Sequence, residues 1–306
     1  TAIRDRLAQL HELNQRRATI LKSLEEQGVL TDDLRQKVNA AASLSVLEDI
    51  YLPHRPKRRT RATMARERGL EPLATRLMLQ KREDHPPALA TGYVDAEKDI
   101  PTVDDALAGA RDILAEWVSE NPEARAEIRR LFQTRGVFRT QVVTGKEQEA
   151  QKFRDYFDWE EPVSRAPSHR ILAMRRGEKE RFLHFRILGP EDQCLGALER
   201  RFVRGKSAAS EQLRLAIADG YKRLLSLGME TELRVETKRR ADAEAIRVMT
   251  QFGLTVHPAS DELHQSWQQL VDERFGGLIG TLIDPDAYAM ATDILQRYRA
   301  ATAANN

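Results

Sequence analysis

A chain of 306 residues, 41% hydrophobic and 31% charged, is long enough to bury a real core, split over two or more subdomains. The net charge of +2 gives no bulk attraction for a polyanion, so any affinity for nucleic acid has to come from local clustering of cations. The single Cys194 excludes an internal disulfide framework and leads us to expect a reducing compartment, the cytoplasm; no signal peptide and no apolar run of membrane-spanning length is visible.

The first residue is Thr1, already inside a helical pattern, as expected of a piece of a longer protein. Ile3, Leu7, Leu10, Leu13, Ile20, Leu21 and Leu24 recur at helical spacing, and Gly28 supplies the stop. The spacing predicts one long amphipathic helix over 1–28, in the manner of a coiled-coil arm, with Arg16 and Arg17 on its solvated face. Thr31 then caps a helix with Leu34, Val38 and Ala41, and Ser45 and Glu48 stand at capping-box spacing around Leu47.

Residues 47–74 hold the densest basic run of the chain. Between Arg55 and Arg68, the seven cations Arg55, Lys57, Arg58, Arg59, Arg61, Arg66 and Arg68 stand against the single acid Glu67. Such a run repels itself unless something anionic lies opposite, and a phosphate backbone is the natural partner. Pro53 and Pro56 keep the backbone extended, so 57–60 is expected as a surface loop. Thr60 is placed to cap a short helix, Gly69 to end it in the left-handed conformation, and Pro72 to open the next. Helix, tight turn, helix is the helix-turn-helix outline.

After a polar seam at 82–87, Val103, Leu107, Ala110, Ile113, Leu114 and Trp117 predict another amphipathic helix, and Asn121-Pro122 starts the next. These elements make a helical, helix-turn-helix-like domain over 29–135. The composition then shifts to a small α+β segment over 136–206. It is expected to hold a strand at 136–143, a short helix at 147–156, a helix at 168–176 capped by Ser168, a strand at 181–188 and a partner strand at 197–203. A C-terminal helical region over 207–306 completes a mainly α fold, with a kink near Gly228 and Leu270, Leu278, Ile279, Leu282 and Ile294 as core candidates of its tail.

Catalytic signatures are missing. Gly205-Lys206-Ser207 is half of a phosphate-binding loop, but Arg200 stands where the first glycine is required. The basic residues Arg200, Arg201, Arg204 and Lys206 read equally well as phosphate contacts at a strand end and as charges that protect an edge strand. None of the seven histidines forms a pair at the spacing of a helical zinc site. Asp95, Glu97, Asp99, Asp104 and Asp105 fit a polar loop and the acidic start of a helix capped by Thr102 better than a nuclease centre. His169, near Arg165, Arg175 and Arg176, reads as a capping or hydrogen-bonding residue. Phe153, Tyr156, Phe157 and Trp159 read as core rather than as a base-stacking platform. No enzyme, cofactor or metal is expected.

The run Tyr51-Leu52-Pro53, Arg55, Lys57-Arg58-Arg59-Thr60, Ala65, Gly69-Leu70 and Leu73-Ala74 closely resembles a block of the Tex family of bacterial transcription accessory proteins. Further islands follow in the family's order. They are Tyr93-Val94-Asp95, Gly145-Lys146-Glu147, residues 153–157, Ser168-His169-Arg170, Arg176-Gly177 and residues 244–248. The resemblance covers roughly residues 1–250. Beyond it, Ile283-Asp284-Pro285-Asp286 only echoes the opening of the family's RNase-H-like domain, and the helix-hairpin-helix and S1 domains are absent from this sequence. The resemblance implies a non-catalytic accessory module that contacts RNA or DNA near the transcription machinery, with no membrane and no small-molecule substrate. The expected phosphate contacts are Arg55, Lys57, Arg58, Arg59, Arg61 and Arg66, joined by Arg175, Arg176, Arg200, Arg201, Arg204 and Lys206. The alternative is a protein-interaction scaffold whose basic loop meets an acidic protein surface.

Overall fold

The computed structural model describes residues 2–56, 59–253, 255, 262–263, 265–267 and 269–270. It divides into a large unit, Thr1–Ile246, and a second unit, Arg247–Asn306. The fold is mainly α, with a small antiparallel sheet of three strands among the described residues.

Three helices, α1 (Ala2–Glu26), α2 (Asp32–Ala40) and α3 (Leu44–Tyr51), form a core of their own. Leu13, Ile20 and Leu24 of α1 meet Leu34, Val38, Leu47 and Tyr51, while Leu7 of α1 is exposed. Gly28 turns the chain with φ +69°, and Thr31 caps α2 as its sequence requires. Two expectations change here. Ser43, not Ser45, caps α3, which leaves Glu48 free to accept from Arg16 Nη2 at 3.0 Å. Arg17 donates to the carbonyls of Val38 (3.2 Å) and Ala41 (3.0 Å), so these arginines are not a solvated face. They close the end of α2 and fasten α3, because orphan carbonyls at a helix end attract a cation.

A larger core is built around α7 (Val103–Glu120), whose Ile113, Leu114 and Ala115 are fully buried. Packed on α7 are α4 (Arg61–Glu67), α5 (Glu71–Met78), α6 (Pro86–Thr91), α8 (Pro122–Arg135) and α11 (Ala208–Gly220). Small residues permit the close approach. A Cβ at Gly109 would lie 2.3 Å from Leu70 Cδ1, and one at Gly220 would lie 3.1 Å from the Ala115 carbonyl oxygen. The same continuous core runs on through α9 (Ser168–Lys179) and α10 (Glu191–Phe202) to Ala241 of α12 (Ser226–Gln251).

The sheet has the order β2 (Asp158–Pro162), β1 (Val137–Val142), β3 (Leu183–Leu188), with Phe138 opposite Ile187 and Thr140 opposite Phe185. Phe138 and Phe185 stack on the inner face at 5.5 Å, and Arg139, His184 and Arg186 face out. The free edge of β3 is closed by side chains of α12. Arg234 donates to the Phe185 carbonyl at 2.9 and 3.0 Å, and Glu230 accepts from the Ile187 amide at 3.2 Å. Those bonds satisfy backbone groups that an open edge would offer to another chain.

Several expected elements differ. The partner strand at 197–203 is the end of helix α10, where Cys194, Ala197 and Leu198 share one buried helical face. β2 takes its place in the sheet. The helix expected at 147–156 is only a tight turn of 3₁₀ helix over Gln151–Tyr156. Pro167 occupies the cap position of α9, so Ser168 is already its first residue and makes no cap bond. The irregularity expected near Gly228 is a π-turn at Tyr221–Leu225, between α11 and α12. In the second unit α12 runs out to Gln251, Gly253 turns with φ +93°, and Leu270 is 55% exposed rather than buried. The core candidates Leu278, Ile279, Leu282 and Ile294 lie outside the described residues.

Candidate nucleic-acid interface

The basic loop is held at both ends. On its upstream side, Asp49 of α3 is buried between two arginines of α8, accepting from Arg125 Nε (2.5 Å) and Arg129 Nη2 (2.6 Å), and Glu232 of α12 meets the same pair. Tyr51 shares a hydrogen bond with Ser23 at 2.8 Å. A turn of 3₁₀ helix over Leu52–His54 follows, and Arg55 leaves it with extended backbone (φ −65°, ψ 131°). On the downstream side, Thr60 accepts from the Thr63 amide at 3.0 Å and donates to Glu116 of α7 at 3.2 Å. Between these points Arg55, Pro56 and Arg59 are exposed, and Lys57 and Arg58 lie outside the described residues. Arg59 reaches Glu67 at 3.3 Å across an exposed pair, an interaction that solvent weakens.

The turn after α4 has the expected geometry. Gly69 has φ +84°, its amide donates to Arg66 O at 2.8 Å, and the Leu70 amide donates to Ala65 O at 3.0 Å. This is the paired 5→2 and 6→1 pattern of a glycine C-cap. The outward face of α5, however, shows Glu71, Pro72 and Thr75 and no free cation, because Arg76 is held by the buried Asp84 at 2.6 Å.

Arg66 is drawn away from the loop. Its Nη1 donates to Glu116 Oε1 at 2.7 Å, and Glu71 lies 3.7 Å from Nε, so it serves as the cation that balances a buried carboxylate. Arg61 is exposed beside a cleft of about 350 Å³ with Asp112 and Asp219. Burial pushes the Asp112 carboxyl above its ordinary range, against the pull of Arg223 and Arg61.

The other candidate cations sit elsewhere. Arg175 pairs with Glu178 at 2.7 Å and covers the Phe185 ring of β3, and Arg176 pairs with Glu180, just past the end of α9, at 2.8 Å, so both are engaged. Arg200 and Arg201, at the end of helix α10 rather than of a strand, share Glu127 at 3.9 and 3.4 Å. Arg204 and Lys206 are exposed in the following loop. His169 is exposed on α9 and makes no hydrogen bond among the described residues. Phe153 is buried, and Trp159 lies against Tyr156 and Arg170. Asp105 and Thr102 close a capping box at the start of α7. Among the described residues no three His, Cys, Asp or Glu side chains gather as a metal-ligand set, and no helix is long and apolar enough to cross a membrane.

Residues 81–249 match the family model described as Tex central region-like. The chain belongs to the Tex family. Among its relatives, the transcriptional accessory protein Tex of Neisseria gonorrhoeae is 41% identical over 252 residues, covering 80% of this chain and 33% of that protein. Protein tex of Bordetella pertussis is 44% identical over 182 residues, 60% of this chain and 23% of its own length. The human S1 RNA-binding domain-containing protein 1 is 24% identical over 260 residues, 80% of this chain and 26% of that protein. The chain spans about a third of the length of the first of these relatives.

Two features of this Tex-family chain escaped the sequence. Arg66 reads as one more cation of a basic run until Glu116, fifty positions away, is seen beneath it. Arg82 reads as the start of a polar seam and Lys81 carries no reading, yet the fold brings their loop against the one holding Arg204 and Lys206. No local signal announces either contact.

Proposed function

We propose that this chain is a nucleic-acid-binding accessory module without chemistry of its own, working in the cytoplasm beside the transcription machinery. The observation that supports this reading is the basic loop. Its two ends are fixed by buried polar anchors, Asp49 on one side and Glu116 on the other, while Arg55 and Arg59 stand in solvent between them. Cations fixed in place lose less freedom on meeting phosphate, and pairing there releases counterions whatever the base sequence. Arg55, Lys57, Arg58, Arg59 and Arg61 are the contacts. Arg66 is the strut that keeps α4 behind them. The name of the gonococcal relative, a transcriptional accessory protein, and that of the human one, an S1 RNA-binding domain-containing protein, agree with this role.

The test is binding of the purified chain to labelled single- and double-stranded RNA and DNA across a salt series, with magnesium or manganese present in parallel. Binding that weakens steeply with salt and leaves the probes intact is the expected result. Cleavage that co-purifies with the chain and vanishes on replacing one of its acids would overturn the non-catalytic reading.

A further inference from the structure

We propose that a second phosphate-binding surface lies where the loop after α5 is fastened to the loop after α10, and that it takes the backbone of a nucleic acid. This surface rests on the nucleic-acid reading above and is remote in sequence from the basic loop.

The fastener is Gln80. It is 6% exposed and has a left-handed backbone (φ 54°), a conformation that side chains rarely adopt without a compensating bond. Its side chain donates to the Phe202 carbonyl at 2.8 Å and accepts from the Arg204 amide at 2.7 Å, and its carbonyl accepts from Ser207 Oγ at 3.3 Å. Ser210 then donates to the Arg204 carbonyl at 3.1 Å. Two loops more than 120 positions apart are thereby joined at fixed register.

Each loop brings exposed cations to the joint. Lys81 and Arg82 follow Gln80 directly, and Arg204 and Lys206 flank Gly205 on the other side. None of the four has an ion pair among the described residues, whereas Arg76, Arg200, Arg201 and Arg214 around them are each engaged by an acid. The neighbouring acids do not neutralise them. Asp84 is buried against Arg76, Glu211 is exposed but held by Arg214 at 3.0 Å, and Glu83 is exposed with no ion pair among the described residues. Arg200 and Arg201 on α10 extend the positive surface, diluted by Glu127.

Four unpaired cations on a rigid joint repel one another, and the fold gains nothing from placing them together. A single phosphate needs one or two of them, so a set spread over two loops fits a repeating polyanion. An acidic protein partner would call for apolar anchors, and among the described residues at the joint Leu79, 53% exposed, is the one large apolar side chain that is fully open to contact, Phe202 and Val203 being partly buried.

The experiment uses the full chain and fluorescence anisotropy with single- and double-stranded oligonucleotides in a salt series. Two variants are compared with the parent: one replacing Lys81, Arg82, Arg204 and Lys206 with Ala, and Gln80→Asn, which keeps a residue tolerant of left-handed backbone but shortens the amide. All four cations are exposed, so the first variant should melt with the parent. Its affinity should fall at least tenfold at low salt, with a salt slope shallower by about 0.7–0.9 for each phosphate no longer neutralised. Gln80→Asn retains every charge and should show an intermediate loss. Parental affinity and slope in the four-fold variant, while neutralising the 55–61 loop still weakens binding, would overturn this surface and leave the module reading standing. No binding by the parent would overturn both. Displacement of the probe by polyglutamate from the parent but not from the four-fold variant, at a lower concentration than unlabelled oligonucleotide requires, would overturn nucleic acid as the ligand in favour of an acidic protein.

Discussion

Arg66→Met separates a structural arginine from a binding one. The side chain of Arg66 is 28% exposed and that of Glu116 only 6%, with 2.7 Å between Nη1 and Oε1. Methionine keeps most of the apolar stem, so the change removes charge and hydrogen bonding more than packing. Breaking a fully buried pair costs about 3–5 kcal/mol, because the remaining charge is stranded. Solvent reaches Arg66 here and Thr60 still donates to Glu116, so about 2–3 kcal/mol is the appropriate figure. For a unit of this size that lowers the melting temperature by about 5–10 °C. Thermal denaturation followed by circular dichroism measures the loss, and anisotropy at a temperature where both proteins are folded measures binding. The salt slope should equal the parent's, since Arg66 is spent on Glu116. A variant that melts with the parent but loses about one unit of slope would refute the assignment and return Arg66 to the phosphate site.

Other outcomes follow from the same structure. Gly69→Ala should cost about 1 kcal/mol in urea denaturation and Gly69→Val more, purely from the φ of +84°, since a Cβ there meets no atom within 4 Å; an unchanged midpoint would remove the strained cap. Asp49→Asn should destabilise by about 3 kcal/mol, because Arg125 and Arg129 are left with Glu232 alone, and additional loss of Arg129 should cost less than the sum of the two single changes; strict additivity would dissolve the network. Burial pushes the Cys194 thiol up to about 11, so at pH 8 about one molecule in a thousand holds thiolate. Native protein should therefore resist thiol reagents that label it at once in denaturant, and rapid native labelling would contradict the burial.

What could be read from the sequence was local. Thr31, Thr60, Thr102 and Asn121 each cap the helix expected of them, and Gly69 ends α4, because these devices need only neighbours within four positions. Strand β2 was hidden, since Asp158-Trp159-Glu160-Glu161-Pro162 has little strand character and is made a strand by pairing with β1. The buried Glu161 on it is held by Arg170 at 2.7 Å, a partner no pattern names. The end of α10 was misread because Ala197, Leu198 and Phe202 suit a strand as readily as one helical face. At the candidate interface the charge density was visible, but its division into free and engaged cations was not. Glu116, Glu178, Glu180 and Glu127 settle that division, and Glu116 and Glu127 come from elements remote in sequence from the arginines they hold.

The central claim is that the 55–61 loop meets phosphate directly. Replacing Lys57, Arg58, Arg59 and Arg61 together with Ala, and measuring the salt dependence of binding beside the parent, tests it most directly. The expected result is an unchanged melting temperature, weaker binding to every probe sequence, and a salt slope reduced by about three to four units on duplex. A folded variant with the parent's affinity and slope would contradict it.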